Sequence, residues 1–233
     1  MQKDSRPPQK IASFKKIDIY AYSLNDLLGS GSFGSVYRGI NTLTKEQVAI
    51  KLVNFTIGLN NKNMEKVNSL KNSLHNEVTN MRMIDHLNIV KLLDFKKTAK
   101  NFYLVCEYCN DGNLENYLNS KKGRVSLIES IKIMKEIING YYCLFKNNIV
   151  HRDLKPANIL LHNQTCKIAD FGFSKVVDSM EERQIISQVG SPLYMSPQIL
   201  KGDIYSSKTD IWSLGKIKIV KDKNKIKYYY LCF

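Results

Sequence analysis

From Tyr22 to Tyr108 the chain runs in short β-branched and aromatic stretches, at 22–28, 35–40, 47–54, 90–95 and 102–108, which predict the strands of a mostly antiparallel sheet. One interruption carries a helical period. Leu74, Val78, Met81 and Ile84 recur at helical spacing and predict a helix over 68–84, with Glu77 beside the apolar stripe and able to point toward the neighbouring sheet. The polar, Asn-rich residues 54–66 read as an extended connection leading into it. Farther along, Leu127, Ile131, Met134, Ile138 and Tyr141 define a longer amphipathic helix over 126–147.

Strands followed by helices predict an α+β chain built as two lobes, a small antiparallel lobe over 21–109 and a helical lobe over 110–215. Residues 1–20, polar and containing Pro7 and Pro8, read as a flexible lead-in, with structure starting near Tyr20. Residues 216–233 form a Lys/Ile/Tyr-rich tail whose Lys/Ile alternation has period two. No internal repeat is visible.

A hydrophobic content of 43% and a charged content of 24% over 233 residues exclude disorder as the global description. The net charge of +14 changes the picture little, because Lys is spread along the chain together with much Asn and Ile. A solvated basic surface is preferred, and no specific nucleic-acid partner is expected: no RNA-binding aromatic motif, zinc-finger spacing or basic helix-turn-helix accompanies the charge. Lys216, Lys218, Lys221, Lys223, Lys225 and Lys227 crowd the tail, and an accident of composition explains them as well as a polybasic membrane or nucleic-acid contact does.

Cys106, Cys109, Cys143, Cys166 and Cys232 make no disulfide framework, and the N-terminal segment lacks the apolar stretch of a signal peptide. A reducing, cytoplasmic setting fits best. Cys106 and Cys109 form a C-x-x-C without the second pair or His that a zinc site needs, so they read as structural thiols. No apolar run reaches transmembrane length, and Cys232 is too near the end to begin a prenylation box.

Three local patterns carry chemistry. Gly29-Ser30-Gly31-Ser32-Phe33-Gly34-Ser35-Val36 puts glycines where a turn must lie close over phosphates without a Cβ in the way. A dinucleotide-binding loop is the rival, but it needs a helix immediately afterwards, whereas Val36-Tyr37-Arg38 reads as strand. Val48-Ala49-Ile50-Lys51 sets a lysine among apolar strand residues; alone it would be a solubilising edge charge, and with Glu77 as partner it can reach phosphates. His151-Arg152-Asp153-Leu154-Lys155-Pro156-Ala157-Asn158, followed by Asp170-Phe171-Gly172, supplies the groups that phosphoryl transfer requires.

With Asp210-Ile211-Trp212-Ser213-Leu214-Gly215, these motifs fall in the order of a eukaryotic protein kinase domain, which the chain resembles over residues 22–215. Lys155 two positions after Asp153, and Gly190-Ser191-Pro192-Leu193-Tyr194-Met195, resemble serine/threonine kinases and not tyrosine kinases. Residues 104–114 and Ser191-Pro192-Leu193-Tyr194-Met195-Ser196-Pro197 are similar to the autophagy-initiating kinase subfamily.

The resemblance implies a two-lobed kinase fold, ATP and Mg2+ as cofactors, and transfer of the γ-phosphate to Ser or Thr hydroxyls of a protein substrate. It implies that Asp153 accepts or orients the substrate hydroxyl, Lys155 neutralises charge on the transferred group, and Asn158 and Asp170 hold the metal. Lys51, held by Glu77, would reach the α- and β-phosphates, beneath a lid made by Leu28, Gly29, Gly31, Phe33, Gly34 and Val36. Ala49, Asn113 and Leu160 would complete the nucleotide pocket, Cys106 would be its gatekeeper, and backbone groups of Glu107 and Cys109 would pair with adenine. Met81, His151 and Phe171 would stack between the lobes. Arg152 and Lys175 imply a positive pocket for a phosphorylated activation segment; Ser187 is the expected phosphosite, with Ser174 and Ser179 less well placed.

Two departures lie late in the chain. Ser196-Pro197-Gln198 stands where the family has Ala-Pro-Glu, so an amide replaces a carboxylate that would form an ion pair. After Gly215 the family continues an apolar helix and further helices, whereas here the tail follows, so the large lobe is expected to be C-terminally incomplete and the sequence a truncated gene product or gene model. An ATP-binding pseudokinase or interaction module, or an inactive kinase fragment, therefore stands beside the enzyme as a reading.

Overall fold

In the computed structural model the described residues are 14–31, 34–54, 72, 74, 75, 77–122, 125–183 and 185–217. Phe33, the connection over 55–66 and the tail over 218–233 lie outside them. Six strands form one antiparallel sheet: β1 Phe14–Ile17, β2 Tyr20–Gly31, β3 Gly34–Asn41, β4 Gln47–Asn54, β5 Leu92–Lys97 and β6 Asn101–Glu107, in the order β1-β2-β3-β4-β6-β5. Strand β4 has its predicted bounds. Strand β5 begins at Leu92 and not at 90, because Ile89 and Val90 are used elsewhere: Val90 N–H donates to the Ile168 carbonyl at 2.9 Å, across to the other lobe.

The lead-in expected over 1–20 is ordered from Phe14. Strand β1 pairs with β2 from Phe14↔Ser23 to Ile17↔Tyr20, around a turn in which Asp18 takes a φ of 54°. Aspartate tolerates that left-handed conformation better than most residues. Lys96 Nζ then sits 2.8 Å from Asp18 and 3.0 Å from Asp94, tying the hairpin to β5. The sequence conceals this strand because Phe14, Lys15 and Lys16 are all exposed, leaving no alternation to read.

Alternation along β4 and β6 gives the sheet two apolar faces. Tyr103 and Val105 join Val48, Ile50, Tyr20 and Tyr22 in one cluster; Phe102 and Leu104 join Val53, Leu74 and Val78 in another. The second face is covered by α1, whose described residues within 72–82 are helical, in agreement with the apolar stripe predicted there. Since Lys51 and Val53 share a face of β4, Lys51 points toward α1.

The second lobe contains α2 Leu114–Ser120, α3 Leu127–Lys146, α4 Pro197–Lys201 and α5 Lys208–Lys216. It is less purely helical than predicted. Strands β7 Ile149–Val150 and β10 Lys175–Val176 pair with each other, as do β8 Ile159–His162 and β9 Thr165–Ile168, and they bracket the residues expected to do the chemistry. These strands are too short for a periodic signal.

Helix α3 starts as its sequence dictates, with Ser126 accepting the Glu129 N–H at 3.2 Å and Glu129 in the first turn. Its buried face, however, is Ser130, Ile133, Ile137, Gly140, Tyr141 and Leu144. The predicted stripe holds at Tyr141, which is buried, and at Met134, which packs on the core, and fails at its start, where Leu127 and Ile131 are 53% and 47% exposed. Small residues explain the error. A Cβ on Gly140 would lie 2.6 Å from the Asn88 carbonyl oxygen, so a close approach of α3 is made at a residue that carries no hydrophobic signal. No described helix is long and apolar enough to cross a membrane.

Candidate active site

The glycine run is a β-hairpin, which rules out the strand-to-helix turn of a dinucleotide-binding loop. Gly29 pairs with Val36 and Gly31 with Gly34. A Cβ on Gly29 or Gly31 would meet nothing within 4 Å, whereas one on Gly34, at φ +135°, would lie 2.2 Å from the Leu52 carbonyl oxygen. One glycine is therefore needed by the fold, and two face open space. Leu28 is exposed at the end of this hairpin, and Val36 stands opposite Lys51 in the β3–β4 register.

Beneath the hairpin, Lys51 Nζ lies 2.7 Å from Glu77 Oε1 and 3.0 Å from Asp170 Oδ1. Strand alternation aims Lys51 at α1, and the α1 stripe turns Glu77 toward the sheet, where it is 3% exposed. Burial works to lower the Lys51 pKa, but the charges of Glu77 and Asp170 carry it above its ordinary value. Burial pushes Glu77 up against the opposing pull of Lys51. Burial likewise works to raise Asp170, and there Lys51 wins, holding its carboxyl below the usual range. One ammonium thus serves two carboxylates from different lobes.

The loop after β7 is fixed from below. Asp210, fully buried at the start of α5, accepts the N–H groups of His151 at 2.7 Å and Arg152 at 2.8 Å. His151 Nε2 donates to the Ala169 carbonyl at 3.1 Å and its Nδ1 accepts the Asp153 N–H at 3.3 Å, while its ring meets Phe171 edge-on at 5.2 Å. Met81 and Phe171 belong to the same buried core cluster, and of the expected inter-lobe stack the His151–Phe171 edge contact is the part described.

Asp153 Oδ2 accepts from Lys155 Nζ at 2.9 Å and from Asn158 Nδ2 at 2.9 Å. Asp153 Oδ1 is buried with no hydrogen-bond partner among the described residues. Lys155 Nζ also reaches Ser191 Oγ at 2.6 Å, linking this loop to the segment after Gly190. A Cβ on Gly190, at φ +115°, would lie 2.4 Å from the Arg152 carbonyl oxygen.

The Arg152 guanidinium donates to the Phe173 carbonyl and to Ser187 Oγ, and Tyr205 OH donates to the Ser187 carbonyl. Lys175 is exposed on β10, opposite Val150. Gln198 is exposed in α4, where the backbone carbonyl it contributes accepts from Asp203 N–H at 2.9 Å. Ser174, by contrast, is 2% exposed and donates to the Phe171 carbonyl at 2.7 Å, which removes it from the phosphosite candidates in this arrangement.

At the hinge, Ala49 faces Cys106 across β4 and β6, and Leu160 bridges to Asn113. Burial pushes the Cys106 and Cys109 thiols up to about 12, so both are neutral and inert, as structural thiols should be. Asn113 has a structural task as well: its side chain caps α2 by accepting the Asn116 N–H at 2.8 Å. The Glu107 side chain accepts from Lys91 N–H at 2.8 Å and from Lys167 Nζ at 2.9 Å, pinning the hinge to β9. Sequence reasoning missed Asp210 as the anchor of the His151 loop and Asn80 as a buried partner of Ser174. The signal available for Asn80 was a polar residue beside an apolar helical stripe; Asp210, whose buried neighbours on α5 include Thr209 and Ser213, offered none of that kind.

Comparison with known proteins agrees with this geometry. The protein kinase domain family model matches residues 22–223. The chain is 35% identical over 210 residues to the human serine/threonine-protein kinase ULK1, covering 85% of this chain and 19% of that protein. It is 37% identical over 202 residues to the Arabidopsis thaliana serine/threonine-protein kinase ATG1c, covering 84% of this chain and 26% of that protein. The chain thus spans about a fifth to a quarter of the length of these relatives. With the glycine hairpin, the Lys51–Glu77 pair and the Asp153 loop assembled as described and the family model matching through them, the chain belongs to the protein kinase domain family.

Proposed function

We propose that this chain is a serine/threonine protein kinase that transfers the γ-phosphate of ATP, with Mg2+, to Ser or Thr hydroxyls of a protein substrate. The observation that carries the reading is the presence of two prepared groups: a lysine ion-paired to carboxylates of both lobes, and a buried carboxylate oxygen, Asp153 Oδ1, left to accept a proton. The two relatives are serine/threonine kinases by name, which supports the substrate class.

The residues fit the cofactor by their chemistry. Mg2+ prefers hard oxygen ligands, few carboxylates and substrate phosphates, and Asp170 with Asn158 is such a set. Both protons of the Asn158 amide nitrogen go to Asp153, at 2.9 Å to its carbonyl and 2.9 Å to its carboxylate, which reserves the amide oxygen for ligation. Held by Asp170 and Asn158, the metal would supply positive charge that neutralises the charge developing on the phosphates. Lys51 holds the α- and β-phosphates, Gly29 and Gly31 let the hairpin backbone approach them, and the hinge strand at Cys106, Glu107 and Cys109 receives the adenine edge. Leu28, Val36, Ala49 and Leu160 supply the apolar walls, with Asn113 at the margin.

In the transfer, the substrate oxygen forms a bond to the γ-phosphorus as the bond from that phosphorus to the bridging oxygen of ADP breaks. The hydroxyl proton passes to Asp153 Oδ1, and Lys155 neutralises charge on the transferred group. Ser187 is the regulatory phosphosite in this reading: Arg152 already donates to its hydroxyl, and a phosphate there would gain charge-assisted bonds from Arg152. Action in the cytoplasm is part of this reading, and the free thiols of Cys106, Cys109, Cys143 and Cys166 are in keeping with it.

The test is transfer of label from γ-labelled ATP to a Ser- and Thr-containing protein acceptor, with Asp153→Asn as control for copurifying kinases. Transfer abolished by that substitution supports the reading. Nucleotide binding without Asp153-dependent transfer would instead make the chain a nucleotide-binding module.

A further inference from the structure

Asn80 and Ser174 are both 2% exposed, come from different lobes, and meet at 2.7 Å, Asn80 Nδ2 donating to Ser174 Oγ. Ser174 passes the bond on, its Oγ donating to the Phe171 carbonyl at 2.7 Å while its N–H donates to the same oxygen at 2.9 Å. Asn80 lies one helical turn after Glu77 on α1, so one face of that helix reaches both ends of the segment 170–174. Glu77 reaches Asp170 through Lys51, at 2.7 and 3.0 Å; Asn80 reaches Phe171 through Ser174.

An apolar pair at this point would pack α1 on the segment and tolerate sliding or rotation. A buried donor and acceptor do not, because any relative movement leaves both unsatisfied in a low-dielectric interior. From these contacts we infer that Asn80 and Ser174 are positioning residues, a polar latch that makes the placement of Glu77 and of Asp170 a single event. The inference rests on the kinase reading for its consequence, since Lys51 and Asp170 are then the groups that must be in place together. Neither latch residue touches nucleotide or substrate.

The experiment compares the full chain with Ser174→Ala, Ser174→Thr and the double variant Asn80→Leu/Ser174→Ala, by turnover per folded molecule, melting temperature and amide hydrogen exchange without nucleotide. Ser174→Ala should lower turnover about tenfold, the scale of one lost hydrogen bond. Ser174→Thr, which keeps the hydroxyl, should recover most of it. The double variant removes both polar groups, so its melting temperature should return toward wild type while its turnover stays low; recovery of both would reduce the pair to packing and overturn the latch.

Hydrogen exchange separates the latch from the kinase reading. Ser174→Ala should speed exchange in α1 around Glu77 and in residues 170–174 by a common factor, whether or not the wild type turns over. Acceleration in one segment alone overturns the latch. A wild type without transfer activity in which the two segments open together would leave the latch standing and overturn the kinase reading.

Discussion

The carboxylate of Asp210 holds the backbone N–H of Arg152 at 2.8 Å, and Arg152 itself stands at a φ of 69°, a left-handed conformation that few non-glycine residues adopt without support. Asp210 supplies that support from α5, together with its bond to the His151 N–H. The residue after Arg152 is Asp153, so the strain held by α5 sets the direction in which the proposed base points.

Asp210→Asn keeps the shape but turns one acceptor oxygen into a donor facing an N–H. Losing one charge-assisted bond and orphaning a buried amide should cost about 3 kcal/mol of stability. Turnover should fall by more than tenfold while nucleotide affinity, set mainly in the small lobe, changes less. Chemical denaturation and a comparison of kcat with the nucleotide Kd check this; equal losses in both would mean that the loop does not depend on Asp210 for its direction.

Much of this arrangement was legible in the sequence. Lys51 and Glu77 could be brought together because a period-two strand and a 3.6-period helix each assign a face, and two faces that must both be buried have few ways to meet. Strand β1 could not be read, since an edge strand with exposed Phe14, Lys15 and Lys16 has no alternation. The α3 stripe was read correctly at Met134 and Tyr141 but not at Leu127 and Ile131, because the small residues Ser130 and Gly140 share the buried face and carry no hydrophobic signal. Asp210 and Asn80 were missed for a related physical reason: a buried polar group is defined by its partner, and the partners His151 and Ser174 are distant in the chain.

The two carboxylates that share Lys51 should answer acid in opposite ways. The Asp170 pKa is lowered on folding, chiefly by Lys51 against the effect of burial, so its stabilising contribution is present above about pH 4 and is lost as pH falls through the lower folded value. Glu77 is raised by burial, so its ionisation opposes folding, and stability attributable to it grows as pH falls through the raised folded value. Melting temperatures between pH 3 and 7, on the order of the carboxylate range, should therefore show the gap between wild type and Asp170→Asn shrinking in acid. The gap between wild type and Glu77→Gln should move the other way. Parallel trends would sink the assignment.

Ser187→Ala should leave the unphosphorylated chain close to its basal activity and abolish the increase that phosphorylation brings, about tenfold if the phosphate gains one or two charge-assisted bonds from Arg152. Arg152 already contacts the hydroxyl and Tyr205 holds the Ser187 carbonyl, so the segment is presented with its side chain toward the cation. Turnover of chain phosphorylated at Ser187 and of the alanine variant, measured side by side, decides it. Equal rates would assign Ser187 to ordinary loop packing.

The glycine hairpin allows stability and nucleotide binding to be pulled apart with a single methyl group. At Gly34 the added Cβ would sit 2.2 Å from the Leu52 carbonyl oxygen at a φ of +135°, so Gly34→Ala must shift β3 against β4 and should destabilise by about 1–3 kcal/mol, within the range of backbone-strain costs. At Gly29 and Gly31 the methyl meets nothing within 4 Å, and neither φ is left-handed. Alanine there should leave the melting temperature of the nucleotide-free chain within about a degree or two of wild type, as surface substitutions of this size do. If the hairpin backbone closes over phosphates, the same methyl groups occupy the space those phosphates need. The rise in melting temperature that saturating Mg2+-ATP gives wild type should then shrink in Gly29→Ala and Gly31→Ala. An undiminished shift in both variants would mean that the hairpin does not approach the nucleotide, and the lid would have to be sought elsewhere in the small lobe.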